Sequence, residues 1–264
     1  MIQFKLSFAG AGRVAEALCM KMHYSGMKII RIVSETESNG KPLASDCDAV
    51  WSPDLDFPES ADIIIVAVPD HSLEKVLSLI KCPENTIVAH TAGSYGLDVF
   101  PERIRRKGVF YPLQSFSKGR ETDFRGVPFL LETSDNESAE ILRMLAESTG
   151  GKVRFTDAET RRMIHLSAVF VNNFTNFMLT AGREISSKAE MPFDILEPLI
   201  RETISKAVEN GPDSSQTGPA IRKDINTIEK HIELLSFSPD LQNLYMEVTK
   251  AIIKHYKKSE DDKL

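Results

Sequence analysis

The chain has 264 residues, enough for one large domain or two smaller ones. Its 42% hydrophobic and 27% charged residues are ordinary for a soluble globular protein, and a net charge of -6 gives no general attraction to nucleic acid or to an anionic membrane. The three cysteines form no C-x-x-C pair, and neither a membrane-length apolar run nor an H-E-x-x-H motif is present. We therefore predict a reduced, cytoplasmic protein with no metal, nucleic acid or membrane partner.

The first strand and helix flank a glycine-rich turn. An apolar run at 6–9 leads into Gly10–Ala15, which reads G-x-G-x-x-A, and the residues that follow have a helical composition. In this context the glycines admit a tight turn and a pyrophosphate, while the helix N-terminus offers N–H groups to the phosphates. An ordinary strand-to-helix turn is the alternative. The predicted cofactor contacts here are Gly10, Ala11, Gly12, Arg13 and Val14.

A second predicted strand, at 27–33, ends at Ser34-Glu35-Thr36. Glu35 follows Gly12 by 23 residues, close to the spacing at which a dinucleotide fold places an acid on the adenine ribose. A carboxylate there can accept hydrogen bonds from both ribose hydroxyls and would repel a 2′-phosphate, which favours NAD over NADP. We predict cofactor contacts from Ser34 and Glu35; a solvated loop acid is the alternative reading of Glu35.

Strands alternate with helices as far as residue 155. The predicted strands are 62–68, 86–89, 109–110, 128–132 and 152–155, and the predicted helices are 71–80 and 137–148, with a turn at Ser38–Gly40 and the solvated end of a helix at the basic run 103–107. This alternation indicates an α/β fold with a doubly wound parallel sheet, whose ligands bind beyond the carboxyl ends of the strands. Val68, Pro69, Asp70 and Thr91 therefore join the predicted cofactor site.

After Phe155 the sequence predicts helices alone, at 157–188, 192–208, 222–235 and 239–257, followed by a frayed, charged tail at 258–264. We predict a Rossmann dinucleotide-binding domain at 1–155 and an all-α substrate and dimerisation domain at 156–257. The apolar faces of these helices need cover, from the first domain, from a homodimer partner, or from both.

Three polar groups are candidates for chemistry. His165, Asn172 and Asn173 lie near one face of a predicted helix, where a histidine with amide neighbours can hold and protonate a carbonyl oxygen; an interior polar cluster is equally consistent. The segment from Thr217 to Asp224 can offer a hydroxyl, N–H groups and the Arg222 guanidinium to an anionic substrate, or can simply begin a helix. Gln114 and Ser115 follow a strand and either line the same crevice or form a buried tight turn.

Six segments that follow one another along the chain together resemble a bacterial family of Rossmann-like oxidoreductases with a helical C-terminal domain of unassigned function. That family is similar to pyrroline-5-carboxylate reductase, ketopantoate reductase and deazaflavin-dependent NADP oxidoreductases. The segments are Gly10–Ala15, Val68–Asp70, His90–Ser94, Tyr111–Phe116, His165 with Asn172–Phe174, and Thr217–Pro219. The Pro-Leu-Gln and Thr-Gly-Pro sequences are fairly specific to the family, whereas the glycine motif is not.

The resemblance implies an N-terminal NAD(P) domain and a helical C-terminal domain of the 6-phosphogluconate dehydrogenase-like type, usually dimeric, with the active site between the domains. It transfers site roles to His165, Asn172, Asn173 and Thr217. Two positions depart from the family: Tyr111 stands where histidine is common, and Glu35 stands where arginine is common, which turns the expected cofactor towards NAD.

The sequence thus predicts an NAD(P)-dependent oxidoreductase that moves a hydride between nicotinamide and a small anionic substrate at the domain interface. The catalytic candidates are His165, Asn172 and Thr217, and the substrate-binding candidates are Asn173, Gln114, Ser115 and Arg222. A homodimer through the helical domain is expected. The alternative function is a dinucleotide-binding sensor or scaffold that keeps the fold without catalysis.

Overall fold

The computed structural model describes residues 4–58 and 60–261, with side chains described as far as residue 257. These residues fall into two compact units, which divide between Asn173 and Phe174. The first unit therefore includes the helix that begins at residue 158, whereas the predicted domain boundary lies at residue 155.

The described part of the first unit holds an eight-stranded sheet in the order β3-β2-β1-β4-β5-β6-β7-β8. Neighbouring strands are parallel except β6 and β7, which confirms the predicted doubly wound sheet and adds one antiparallel pair. The antiparallel pair arises because residues 113–127 return the chain without a crossover helix. The strands are β1 Lys5–Ala9, β2 Lys28–Val33, β3 Val50–Ser52, β4 Ile63–Val66, β5 Ile87–His90, β6 Lys107–Pro112, β7 Pro128–Thr133 and β8 Lys152–Phe155.

Helices cover both faces of this sheet. Ile63 and Ile65 of β4 lie in one apolar cluster with residues of the first, second and fourth helices, while Ile64 and Val66 lie in another cluster with the third. All four side chains of β4 are buried, because a central parallel strand has no solvent face. The helices of this unit are α1 Arg13–Tyr24, α2 Glu37–Asp46, α3 Asp70–Leu79, α4 Asn136–Ser148 and α5 Ala158–Ala168.

The turn predicted at Ser38–Gly40 is wrong, because these residues lie within α2. Glycine is tolerated in this helix because it allows the close approach of β2 and β3. A Cβ at Gly40 would lie 2.1 Å from Ser34 Oγ and 2.4 Å from the Trp51 ring, so a larger residue would push the helix off the sheet.

The basic run at 103–107 does not end a helix as predicted, since Lys107 begins β6. Arg103 instead caps a helix that lies elsewhere in the sequence. Its guanidinium donates to the carbonyl oxygens of Leu77, Ser78 and Ile80, at the C-terminal end of α3. A cation suits this position because it satisfies carbonyl groups that have no partner within the helix.

The second unit is helical, with a small core around Ala181, Leu235 and Leu241. The helix predicted at 157–188 contains a π-helical stretch at Val169–Phe174, between α5 and the next helix. No described helix is long and apolar enough to span a membrane. The helices are α6 Thr175–Lys188, α7 Glu197–Asn210, α8 Pro212–Ser215, α9 Pro219–Arg222, α10 Ile225–Leu234 and α11 Pro239–Asp261.

Two boundaries in this unit differ from prediction. The helix predicted at 222–235 begins at Ile225, because Lys223 adopts a left-handed φ of 56° that interrupts the chain after α9. The last helix continues to Asp261, so residues 258–261 of the predicted tail are helical, and residues 262–264 lie outside the described residues.

Candidate functional site

The glycine-rich turn lies between β1 and α1. Gly10 has a φ of 114°, and a Cβ there would lie 2.2 Å from the carbonyl oxygen of Ala67, so only glycine fits. Gly12 precedes α1 without a side-chain cap, and a Cβ added to it would meet no atom within 4 Å. Arg13 and Val14 therefore begin α1 beside open space, and the free N–H groups of such a first turn can bind a pyrophosphate.

Backbone hydrogen bonds join the ends of the neighbouring strands to this turn. The Gly10 N–H donates to the carbonyl oxygen of Val33 (2.7 Å), and the Thr91 N–H donates to that of Val66 (3.1 Å). The residues that follow β1, β2, β4 and β5 thus share one edge of the sheet, where α/β folds bind ligands. This edge carries Ser34, Glu35, Val68, Pro69, Asp70 and Thr91.

Ser34 and Glu35 differ in what their side chains can offer. Ser34 Oγ donates to the carbonyl oxygen of Thr36 (2.9 Å) and accepts from Trp51 Nε1 (3.1 Å), so this hydroxyl already has two hydrogen-bond partners within the protein. The Glu35 side chain is exposed directly beside it. Of the two, Glu35 is the residue whose carboxylate can bind ribose hydroxyls.

The segment between β6 and β7 (residues 113–127) contacts the first turns of two helices at this edge. The Gly119 N–H donates to Glu16 Oε1 of α1 (3.1 Å), and Lys118 Nζ donates to Asn39 Oδ1 of α2 (3.2 Å). The partners are 103 and 79 residues apart, and no local pattern in the sequence signals such contacts. Lys118, which no sequence motif singles out, brings a cation to the first turn of α2.

A tyrosine and a histidine meet at the carboxyl end of β6. Tyr111 is the penultimate residue of the strand, and its Oη lies 2.8 Å from Nδ1 of His165 on α5. The rings are nearly perpendicular, at 68°, with centroids 5.7 Å apart. Sequence reasoning singled out His165 but set Tyr111 aside as a departure from the family, so the pair itself was missed.

Gly93 and Asp70 complete the surroundings of this pair. A Cβ on Gly93 would lie 2.8 Å from His165 Nδ1 and 3.0 Å from Tyr111 Cζ, so the loop after β5 touches both rings. Burial raises the pKa of the Tyr111 hydroxyl, and the negative charge of Asp70 raises it further. Tyr111 therefore remains a neutral O–H donor at physiological pH.

Helix α5 is fixed to the sheet by Arg161, one turn before His165. The Arg161 side chain is fully buried, its Nη1 lies 2.7 Å from Glu132 Oε2 on β7, and its Nη2 donates to the carbonyl oxygen of Tyr95. Asp157 caps the helix by accepting from the Thr160 N–H at 2.7 Å. These contacts set the position of the His165 ring.

His90 holds the loop that carries Gly93. Its Nε2 donates to the carbonyl oxygen of Gly96 (3.3 Å), its Nδ1 accepts from the Ala92 N–H (3.2 Å), and its ring stacks on Phe100. Burial lowers the pKa of His90 to about 4. Both ring nitrogens of the neutral His90 form hydrogen bonds with the backbone, so His90 stabilises the loop and is not a proton donor.

The other candidates in the first unit are exposed. Asn172 and Asn173 lie in the π-helical stretch, where Asn172 Nδ2 donates to Asn173 Oδ1 at 3.3 Å. Gln114 and Ser115 begin the β6–β7 segment, and the Ser115 N–H donates to Gln114 Oε1 at 2.8 Å. All four side chains can be reached from solvent, and π-helical turns are frequent at functional sites.

The remaining candidates lie in the second unit. Thr217 is exposed and lines an apolar cavity of about 350 Å³. Arg222 ends α9 and is exposed. Asp224 accepts from the Thr227 N–H (3.1 Å) and side chain (2.8 Å), which lower its pKa, so this acid begins α10. Within the described residues no cluster of three or more metal-ligating side chains is found.

Two family models match separate parts of the chain. Residues 5–93 match the description "NADP oxidoreductase coenzyme F420-dependent", and residues 127–252 match a domain of unknown function, DUF2520. No curated protein matches the chain. The two models confirm the resemblance stated from the sequence, including a C-terminal part without an assigned function.

Solved structures support the same assignment. A "putative NADP oxidoreductase" from Bacteroides fragilis is 36% identical, with a TM-score of 0.87 over 96% of this chain and 98% of that one. A protein from Thermotoga maritima (21% identity, TM-score 0.69, 97% and 99% covered) and a reductive aminase from Aspergillus terreus, solved with NADPH and ethyl-5-oxohexanoate (11%, 0.71, 96% and 94%), share the fold. The identity to the Bacteroides protein shows that this chain belongs to the NADP oxidoreductase family in which a dinucleotide-binding part is followed by a DUF2520 region.

Proposed function

We propose that the protein is an NAD(P)-dependent reductase or dehydrogenase whose proton-transfer pair is Tyr111 and His165. The observation that carries the proposal is the 2.8 Å contact between Tyr111 Oη and His165 Nδ1 at the carboxyl edge of the sheet, against Gly93. A tyrosine and a histidine in hydrogen-bond contact can deliver or accept a proton as a carbonyl or imine is reduced or an alcohol or amine is oxidised.

The glycine turn fits a dinucleotide. Only glycine can occupy position 10, and the space beyond Gly12 is open, so the backbone of residues 11–14 would hold the pyrophosphate and Glu35 the adenine ribose. When bound, the nicotinamide supplies hydride transfer, and the chain positions and polarises the substrate.

The proton path follows from the surroundings of the pair. Burial and the charge of Asp70 keep the Tyr111 hydroxyl protonated, so it donates to His165 Nδ1. That hydrogen bond occupies Nδ1, so Nε2 is the ring nitrogen that remains to exchange a proton with the substrate. We further propose that Asn172 and Thr217 orient the substrate and that Arg222 neutralises its anionic group. Asn173, Gln114 and Ser115 are proposed as further substrate contacts.

Glu35 favours NAD as the cofactor, because its carboxylate would repel a 2′-phosphate. Lys118, bonded to Asn39 at the first turn of α2, is the cation that could bring NADP to the same place. We propose a preference for NADH, tested by calorimetric titration with both reduced cofactors. Glu35→Gln should raise the affinity for NADPH, and Lys118→Ala should lower it; tighter binding of NADPH than NADH by the unaltered protein contradicts the preference.

We also propose that the helical unit forms a homodimer. Its α6 and α7 expose large apolar side chains, among them Phe177 (54%), Leu199 (64%) and Val208 (79%). Such a surface is typical of an interface. Analytical ultracentrifugation should give a dimer, and Leu199→Glu should shift it to monomer. A monomeric unaltered protein would reject this proposal.

Turnover tests the proposed chemistry. The enzyme is supplied with NADH or NADPH and a panel of 2-oxo acids, cyclic imines and ketones, and with the oxidised cofactors and alcohols for the reverse direction. Tyr111→Phe and His165→Asn should each lower turnover by about 10²–10⁴-fold while cofactor affinity changes little.

The chain offers a matched control for these variants. His231 Nδ1 and Tyr245 Oη form a similar pair in the helical unit, 2.9 Å apart with rings at 78°. Tyr245→Phe makes the same chemical change and should leave turnover intact. Failure to bind either cofactor would reject the proposal, and cofactor binding without turnover on any of the panel would favour the sensor or scaffold.

A further inference from the structure

Two cysteines that take no part in the proposed catalysis face each other in the core of the first unit. Cys19 lies on α1 and Cys47 directly follows α2, and both are buried and reduced. Their Sγ atoms are 3.3 Å apart. A disulfide needs about 2.05 Å between sulfurs, so the two atoms must approach by about 1.2 Å to bond.

One contact of Cys47 favours its thiolate, against burial and the charges of Asp46 and Asp48, which raise the pKa of the thiol. Cys19 donates a hydrogen bond to the Cys47 sulfur, which lowers the pKa of the Cys47 thiol and raises that of Cys19. The neighbours of Cys47 in the sequence, Asp46 and Asp48, are both exposed, so the sulfur lies just beneath the surface at the end of α2. Opening of this helix end would admit a small oxidant, since helix ends unfold more readily than a sheet core.

We propose that Cys19 and Cys47 form a redox modification site, which a hydroperoxide such as hydrogen peroxide oxidises to an intramolecular disulfide. The Cys47 thiolate attacks one peroxide oxygen, the O–O bond breaks, and a sulfenic acid forms as the leaving oxygen takes up a proton and departs as water. The Cys19 sulfur then attacks the sulfenic sulfur, which forms the S–S bond and releases a second water. The two thiols lose two electrons and two protons, and the peroxide is reduced to two waters.

The bond would join α1 to the residue that directly follows α2. It would close a segment whose ends are 28 residues apart and which contains β2, Ser34 and Glu35. Closing this segment restricts the unfolded chain, so the oxidised protein should melt at a higher temperature than the reduced one. The inference concerns the thiols themselves and does not depend on the proposed catalysis.

The third cysteine serves as an internal reference. Cys82 is half-buried and is not paired with either of the others, and burial raises the pKa of its thiol. It should therefore react with peroxide more slowly than Cys47, although its side chain is the more accessible of the two.

The test is a thiol count by mass spectrometry on the full chain. Reduced protein is treated with hydrogen peroxide, quenched with catalase, unfolded and alkylated. The number of alkylated cysteines should fall from three to one, dithiothreitol should restore all three, and a non-reducing digest should contain the Cys19–Cys47 cross-linked peptide. Cys82→Ser should still form the disulfide, whereas Cys19→Ala and Cys47→Ala should each fail to form it.

Several outcomes would overturn the proposal. Retention of three alkylated cysteines in the unaltered protein would show that the pair is inert, and a disulfide that includes Cys82 would show that the buried pair is not the preferred site. An equal loss of thiols in Cys47→Ala and in the unaltered protein would assign the oxidation elsewhere. The count on the unaltered protein decides the matter even if an alanine variant folds poorly.

Discussion

Replacing Arg161 by methionine tests whether the ion pair beneath α5 holds His165 in place. The Arg161 side chain is 0% exposed and its partner Glu132 only 21% exposed, with 2.7 Å between Nη1 and Oε2. Removing one partner of a buried pair costs about 3–5 kcal/mol, because the other charge stays buried without compensation. Glu132 keeps some contact with water, so we expect the free energy of unfolding to fall by about 3 kcal/mol.

The assay is urea unfolding, with Arg125→Met as the matched control. Arg125 pairs with Asp123 at the same distance of 2.7 Å, but the two side chains are 85% and 59% exposed. Its loss should therefore destabilise the protein far less than the loss of Arg161, because water already solvates both charges. The double variant Arg161→Met with Glu132→Leu should regain much of the lost stability, because no unpaired charge remains. Equal losses for Arg161→Met and Arg125→Met would refute the reasoning.

Three further predictions concern the same sheet edge. Gly93→Ala should displace the His165 ring by about 0.6 Å, because the new Cβ would lie 2.8 Å from Nδ1 and ordinary contact begins near 3.4 Å. The ¹⁵N chemical shifts of the ring should then show that the hydrogen bond to Tyr111 is lost, and unchanged shifts would contradict this prediction. The pKa of His90 is lowered from 6.5 to about 4, so the unfolded chain takes up a proton at a higher pH than the folded protein does. The free energy of unfolding should therefore fall by up to about 3 kcal/mol as the pH drops from 6.5 to 4. The variant His90→Gln should lack this part of the pH dependence, and identical unfolding curves for the two proteins would contradict the prediction. Glu35→Arg should raise the affinity for NADPH about tenfold in calorimetry, because a cation there can pair with the 2′-phosphate. An unchanged affinity would show that Glu35 does not lie in the cofactor site.

The sheet was predictable because its signals are local. The apolar run at 62–68 indicates a strand that is covered on both faces, and all four residues of β4 are buried. The glycine turn was predictable for the same reason, since strand, turn and helix lie within twenty consecutive residues, from Lys5 to Tyr24. Gly40 shows the limit of such reasoning. Its propensity favours a turn, but contact with Ser34 and Trp51 requires glycine inside a helix.

The candidate site was only partly predictable, because its contacts join distant parts of the chain. Tyr111 and His165 are 54 residues apart, and a strand and a helix give no shared period that would pair them. One signal was available: Tyr111 stands near the carboxyl end of its strand, where ligands bind in α/β sheets. The burial of Arg161, four residues before His165, places His165 on the sheet-facing side of α5 and could not be foreseen from a charged residue.

The grouping of His165 with Asn172 and Asn173 assumed one regular helix. In the structure Val169–Phe174 is π-helical, and each π-turn takes more residues than an α-turn, so the faces before and after it no longer align as the α-helical spacing implies. The sequence of this stretch, Val-Phe-Val-Asn-Asn-Phe, carries no proline or glycine that would announce the change.

Among the described residues two histidine–tyrosine pairs have an Oη–Nδ1 hydrogen bond of nearly the same geometry, so this short distance alone does not identify the reactive pair. The distinction lies in the surroundings. His231 and Tyr245 join two helices beside a small apolar core, where a satisfied hydrogen bond stabilises packing. Tyr111 lies at the carboxyl edge of the sheet, which also carries the glycine turn, and its partner His165 reaches it from α5. Gly93 of the loop after β5 lies against both rings, and burial together with the charge of Asp70 keeps the tyrosine protonated. If the sheet edge confers the chemistry, Tyr111→Phe and Tyr245→Phe must differ in turnover even where they cost the same stability.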